Sequence, residues 1–201
     1  MRQKLGFSKV LSVLGVASSI GVFLVTRDAS ADESKRGAFY VQGSPLGVGV
    51  AFYPGADYTD PVTGNTVSGG GGSAGSYRVD VEGGYHFSGR HDGFVLALRQ
   101  AFYFSGGSLG STTIRAGYDI PIPIADGKME LTIAPYAHLG VGYAFAGGDP
   151  FFHWGVGADG KLFFLKDIGL YAFVRPIEFS MFINSAVVPA ISFGAGMGFA
   201  F

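Results

Sequence analysis

The chain of 201 residues combines an apolar composition with little charge and no cysteine. Its net charge is −1 at neutral pH, 14% of its residues are charged, and it contains 34 glycines, 19 phenylalanines and 10 tyrosines. A charge this small and of this sign excludes the basic footprint of a nucleic-acid-binding protein. The absence of cysteine excludes a disulfide framework and a thiolate site. So much glycine and so many aromatic rings are unusual for a soluble domain.

Residues 1–31 have the three parts of a secretory signal. Arg2, Lys4 and Lys9 form a basic start, residues 10–25 are largely apolar, and Ala29-Ser30-Ala31 fits an A-x-A cleavage site. An uncleaved membrane helix is the alternative, but the apolar run is shorter than the roughly 20 residues that span a bilayer. We therefore expect cleavage and a single domain at residues 32–201. Ten basic and fourteen acidic side chains remain in that domain, a net charge of −4.

From residue 38 onward, apolar residues alternate with small or polar ones. Successive side chains of a strand point to opposite faces, so this period predicts strands with one apolar face. Turn residues divide the chain into eight such segments, at 38–53, 77–87, 94–104, 111–121, 129–145, 152–163, 169–177 and 191–201. We expect one bulge at Gly43-Ser44-Pro45 and another near Pro135. Residues 54–76 and 178–188 are predicted to be the two longest loops.

The second predicted strand shows most clearly what the two faces contact. Tyr77 and Val79 lie on one face, while Arg78, Asp80 and Glu82 lie on the other. Such a ribbon fits between lipid and a polar lumen. We expect outward aromatic residues to gather towards the strand ends, at the membrane interface: Tyr77, Tyr85, Phe87, Phe94, Phe104, Tyr118, Tyr143, Phe145, Phe152, Trp154 and Phe163.

The inward positions carry ten ionisable side chains that we predict to be structural interior charges: Arg78, Asp80, Glu82, Arg99, Arg115, Asp119, His138, Asp159, Lys161 and Arg175. If Ser88 pairs with Gly93, Glu82 lies opposite Arg99, and Arg115 follows one strand further on.

If Phe145 pairs with Phe152, His138 faces Asp159, and Arg175 is opposite or diagonal to Asp159. The interior charges could form an ion path or a structural plug. Matched charges in the narrow lumen of eight strands favour the plug.

Two segments resemble bacterial outer-membrane barrels. The alternating strand that ends at Phe201 resembles their terminal signal, which implies recognition by the barrel-assembly machinery. Pro135-Tyr136, followed by Gly140, Gly142 and Tyr143, resembles a pattern of small barrels of the OmpA, OmpX and opacity type. The resemblance implies an all-β fold, an eight-stranded antiparallel up-and-down transmembrane β-barrel embedded in the lipid bilayer of the cell outer membrane.

The loops decide what such a barrel does, so several function classes stay open. A structural or surface-interaction role is favoured, with the surface partner unknown, and a small pore is an alternative. His86-Phe87-Ser88 resembles the His-x-Ser of outer-membrane lipid A deacylases, so a lipid-modifying enzyme is another. A soluble lipocalin-like carrier would need the apolar faces turned inward. We predict no catalytic residue, no cofactor and no metal site, because the four histidines lack metal-ligand spacing.

Overall fold

The computed structural model describes residues 37–54, 58–59, 66–67, 71–105, 107–125, 129–165 and 168–201. The predicted signal at residues 1–31 lies outside them. No helix in these ranges is long and apolar enough to cross a membrane.

In the part of the chain that the structure describes, ten strands form a closed barrel and one small two-stranded sheet. They are β1 Phe39–Tyr53, β2 Tyr58–Thr59, β3 Thr66–Val67, β4 Gly72–His86, β5 Gly93–Ser105, β6 Gly107–Ile124, β7 Met129–Ala144, β8 Phe151–Leu165, β9 Leu170–Ile183 and β10 Val187–Ala200. Strands β2 and β3 pair only with each other. The other eight pair antiparallel in chain order, and β10 closes on β1. The predicted eight-stranded antiparallel up-and-down barrel is confirmed.

The two faces of each strand meet different surroundings, as the alternation predicts. In β4, the side chains of Arg78, Asp80 and Glu82 are buried, whereas Tyr77 is 44% and Val81 49% exposed. The same alternation of buried and exposed residues runs along β5 and β7. Because every strand contributes its exposed apolar residues to the same side, the outside of the barrel is a continuous apolar band.

One of the two predicted bulges is confirmed and the other is wrong. The pairing of β1 with both of its neighbours shifts by one residue around Ser44 and Pro45. At Pro135 there is no shift, because Pro135 pairs with Ala158 in the same register as the rest of β8. Pairing with β6 is interrupted between Gly117 and Ile120 and then resumes in its earlier register. The missing amide of the proline leaves a gap in the ladder without adding a residue.

The strand lengths correct three loop predictions. Strand β4 begins at Gly72 and shortens the first loop to 54–71. Strand β6 continues to Ile124, into the segment left as a turn between the predicted strands at 111–121 and 129–145. The predicted loop at 178–188 is wrong, since β9 extends to Ile183 and only residues 184–186 separate it from β10. A one-residue bulge in β9 explains the error. Arg175 and Glu178 both point inward although they are three residues apart.

Two apolar clusters occupy the ends of the lumen. The outer cluster, at the end that carries the 54–71 loop, contains Tyr103, Leu109, Phe151, Phe182 and Val188. The inner cluster, at the end where β1 begins and β10 ends, contains Tyr40, Val95, Phe163, Tyr171 and Phe173. The placement of Phe163 on the outer surface is wrong: it is 2% exposed and its ring lies 4.7 Å from that of Tyr171. It has the same parity as the inward Asp159 and Lys161.

An outward polar residue, Gln100, is accommodated by its neighbours. Its side-chain nitrogen donates to the hydroxyl of Tyr143 at 2.9 Å, and its oxygen accepts from the hydroxyl of Thr112 at 2.6 Å. The side-chain amide is thus bonded to protein at both its nitrogen and its oxygen on an otherwise apolar surface.

Candidate functional site: the charged interior

Between the two apolar clusters lies a network of ionised side chains. All ten predicted interior residues are at most 3% exposed. The sequence did not identify Glu178, which has no exposed surface and belongs to the same network. The basic members are Arg78, Arg99, Arg115, Lys161 and Arg175, and the acidic members are Asp80, Glu82, Asp119, Asp159 and Glu178. We call these ten side chains the interior network. Its charges sum to zero.

Glu178 is the centre of the outer half of the network. Arg78 Nη1 donates to Glu178 Oε1, and Arg99 Nη1 donates to Glu178 Oε2 at 2.6 Å. The hydroxyl of Tyr136 also donates to Oε2, at 2.6 Å. Arg175 Nε lies 3.8 Å from the same oxygen. One carboxylate therefore compensates several guanidinium groups that arrive from β4, β5 and β9.

Arg115 and Arg175 join the carboxylates of the middle of the lumen. Arg115 Nη1 lies 2.7 Å from Glu82 Oε1 and 2.9 Å from Asp159 Oδ2. Arg175 Nε donates to Asp159 Oδ1 at 2.8 Å, and its Nη1 donates to Asp80 Oδ2 at 3.2 Å. Charged hydrogen bonds of this kind cross the lumen and tie opposite walls together.

Tyr136 supports these cations from the wall of β7. Its ring centroid lies 3.8 Å from Arg115 Cζ, 5.4 Å from Arg175 Cζ and 5.8 Å from Arg99 Cζ. The face of an aromatic ring attracts a cation, more strongly where water is excluded. Tyr136 belongs to the Pro-Tyr pattern of the sequence, and here that tyrosine organises the charges.

The inner half of the network centres on Asp119. Lys161 Nζ donates to Asp119 Oδ2, and His86 Nε2 lies 3.1 Å from the same oxygen. Lys161 Nζ also lies 5.0 Å from the centroid of the Tyr40 ring in the inner apolar cluster. The turn after β4 folds beneath this group, where His91 Nε2 lies 2.8 Å from Glu130 Oε1.

The predicted charge pairs have mixed outcomes. Glu82 is directly opposite Arg99, and Arg175 contacts Asp159, as predicted. The pairing of His138 with Asp159 is wrong, because Gly142 pairs with Phe151 and His138 therefore faces Gly155. The predicted pairing of Phe145 with Phe152 left six residues between the strands, whereas the observed pairing of Gly142 with Phe151 leaves eight. His138 instead lies beside His153, with ring centroids 4.8 Å apart.

The histidines and Ser88 show no arrangement for metal binding or nucleophilic catalysis. Within the described ranges, no three histidine, cysteine, aspartate or glutamate side chains are placed to hold a metal. The hydroxyl of Ser88 donates to the carbonyl of Asp92 at 2.6 Å and accepts from the amide of Arg90 at 3.2 Å. His86 is buried and bound to Asp119, whereas Ser88 lies in the exposed turn. The hydroxyl thus stabilises a turn.

Comparisons with known proteins give a likeness of fold. No protein-family model and no curated protein matches the sequence. Three solved chains match the structure. One is the crystal structure of Neisserial surface protein A, with 15% sequence identity and a TM-score of 0.49 over 82% of this chain and 97% of that chain.

Proposed function

We propose that this protein is an integral β-barrel of the bacterial outer membrane with a structural or surface-interaction role. Its partner along the barrel wall is the lipid bilayer, because the outside is apolar and the charges lie within, the arrangement that transmembrane barrels require. A soluble carrier would bury the apolar faces instead. Tyr85 at 36%, Phe94 at 48% and Phe152 at 46% exposure are among the aromatic residues that meet lipid near strand ends.

The closed interior carries the proposal that the barrel does not conduct solutes. The interior network fills the middle of the lumen, and the outer and inner apolar clusters cover it at the two ends. A solute would have to break charged hydrogen bonds and also pass two apolar constrictions. This disfavours a small pore. The hydroxyl of Ser88, engaged in its own turn, gives no support to a lipid-modifying enzyme.

Two segments of the chain are proposed to direct its export and assembly. We propose that residues 1–31 direct secretion and are cleaved, and that the barrel-assembly machinery reads the strand ending at Phe201. In the structure, Phe201 closes the barrel through reciprocal backbone bonds with Phe39, at 2.8 and 3.0 Å. Its ring stacks on those of Phe39 and Phe199. These contacts add the last strand to the first.

Single cysteines test location and orientation, since the chain has none of its own. Gly72→Cys lies at the start of β4, at the outer end, and Ser88→Cys lies in the exposed turn at the inner end. We expect a membrane-impermeant maleimide to label the first variant, and not the second, on intact cells. Labelling of both variants only after lysis would contradict exposure at the cell surface.

Planar bilayers test whether the barrel is closed. Barrel formation is first checked by heat-modifiable migration of unboiled and boiled samples on a gel. We expect the inserted protein to give no discrete current steps. Discrete current steps whose reversal potential shows that they are carried by small ions would contradict the closed interior and favour the pore.

A further inference from the structure

The barrel closes where its last strand, β10, pairs with its first, β1, and the bulge in β1 divides this seam. The register shifts around Ser44 and Pro45, so the inner end of the seam is a short ladder in which residues 39–43 face residues 197–201. Proline supplies no amide to the ladder beside this segment. The ends of a sheet open locally at a lower free energy than its centre. The inner end of the seam is therefore where contacts beyond the backbone matter most.

One row of inward positions crosses the seam at this point. Along it, Tyr171 of β9 faces Gly198 of β10, and Gly198 faces Gln42 of β1. Gln42 in turn faces Glu82 of β4. The tyrosine, glutamine and glutamate side chains are at most 2% exposed. A methyl group at position 198 would lie 2.3 Å from Tyr171 Cζ, so the tyrosine ring lies over the glycine. The side chain of β9 thus reaches across β10 to β1.

Hydrogen bonds follow this row from β9 to β4. The hydroxyl of Tyr171 donates to Gln42 Oε1 at 3.0 Å, and Gln42 Nε2 donates to Glu82 Oε1 at 3.1 Å. The same carboxylate oxygen accepts from the hydroxyl of Tyr40 at 2.5 Å and from Arg115 Nη1 at 2.7 Å. The far end of the chain is therefore fixed to β1 and β6. We call the side chains of Tyr171, Gln42 and Glu82 the seam strap.

Gln42 is the link on which the seam strap depends. An amide side chain both accepts and donates, so it accepts from a hydroxyl on one side and donates to a carboxylate on the other. A leucine of similar size would make neither bond. It would also leave the buried hydroxyl of Tyr171 without its acceptor, which is costly inside a protein.

We propose that the seam strap is a conformational lock that keeps the inner end of the β1–β10 seam closed. Its bonds join strands on both sides of β10, so the seam opens there only when those bonds break. Opening of any strand pair between β5 and β8 leaves them intact. Without the seam strap, the inner end of the seam opens locally while the other strand pairs stay closed. Gly198 serves this lock by leaving the path over β10 clear.

Hydrogen exchange of the folded barrel in detergent micelles, measured by mass spectrometry of its peptides, tests the proposal. Gln42→Leu breaks both bonds, and Tyr171→Phe removes only the hydroxyl and is the milder change. We expect the amides of residues 39–43 and 197–201 to exchange roughly tenfold faster in Tyr171→Phe and faster still in Gln42→Leu. Exchange in β5 and β6 stays as in the wild type. Tyr85→Phe is the matched control, because Tyr85 lies on the outer face and is 36% exposed.

Three outcomes would overturn the inference. In the first, the inner end of the seam exchanges as slowly in Gln42→Leu and Tyr171→Phe as in Tyr85→Phe. In the second, exchange rises equally in β5 and β6, which would mean that these side chains stabilise the whole barrel and not the seam. Heat-modifiable migration first establishes that each variant forms a barrel. If neither strap variant forms one, the side chains are again required by the whole barrel, which is the third outcome.

Discussion

Glu178→Gln keeps the volume of the side chain and removes the charge at the centre of the outer half of the interior network. Arg99 then keeps a neutral acceptor in place of its carboxylate partner, while Arg78 still pairs with Asp80 and Arg175 still pairs with Asp159 and Asp80. The interior network, which is neutral with five bases and five acids, acquires a net charge of +1. No water reaches Glu178 to screen this change, because the residue has no exposed surface.

The magnitude follows from the cost of leaving a buried charge without its partner. Breaking one buried pair costs about 3 to 5 kcal/mol. We expect Glu178→Gln to lower the free energy of unfolding by about that amount, towards the lower end because glutamine still accepts a hydrogen bond from Tyr136. The double variant Arg99→Gln with Glu178→Gln restores neutrality. It is expected to lose less than the sum of the two single losses.

This difference is measured by equilibrium unfolding of the barrel in vesicles with urea, and heat-modifiable migration on a gel reports the folded fraction. Asp149→Asn is the matched control, since Asp149 is exposed in the loop after β7 and a surface change there stays within about 0.5 kcal/mol. If Glu178→Gln is as stable as this control, the carboxylate does not hold the interior together. Equal stability of the two variants is the result expected if Glu178 lies in an exposed loop, where the sequence analysis placed it.

Three further predictions concern single side chains. Gly142→Ala places a methyl group into the ring of Phe151 and should cost about 1–3 kcal/mol in unfolding free energy. Gly72→Ala, with open space around it, should be nearly neutral. Equal losses of unfolding free energy in the two variants would refute the close packing of Gly142 against Phe151. Ser88→Ala should leave the lipid A of cells unchanged, as measured by mass spectrometry. An altered lipid A pattern would support the hypothesis of a lipid-modifying enzyme. Phe201→Ala should lower the fraction of assembled barrel in cells but leave refolding in detergent unchanged. Unchanged assembly in cells would show that the assembly machinery does not need the Phe201 side chain.

The period of two explains why so much of the barrel could be predicted from the sequence. It assigns Arg78, Asp80 and Glu82 to one face and Tyr77 to the other without knowledge of the neighbouring strands. Where a turn is short, it also fixes the register. The tight turn between β4 and β5 places Glu82 opposite Arg99.

Longer connections and bulges limit this reasoning. The sequence is compatible with more than one length for the connection between β7 and β8, and each length sets a different register. The length assumed in the prediction paired His138 with Asp159. The bulge in β9 inserts one residue between Arg175 and Glu178, so that strict alternation assigns Glu178 to the wrong face. A bulge leaves only a weak local signal, here Pro176, and its position depends on pairing with both neighbouring strands.

The sequence by itself determined that eight alternating strands separate an apolar side from a charged side, because the direction of each side chain along a strand is a local property. Only the tertiary structure decided which charges meet. Partners such as Arg78 and Glu178 are 100 residues apart and come together across the lumen. Closure of the barrel, the registers of its longer connections and the bulge in β9 set those contacts, and each of these depends on all the strands at once.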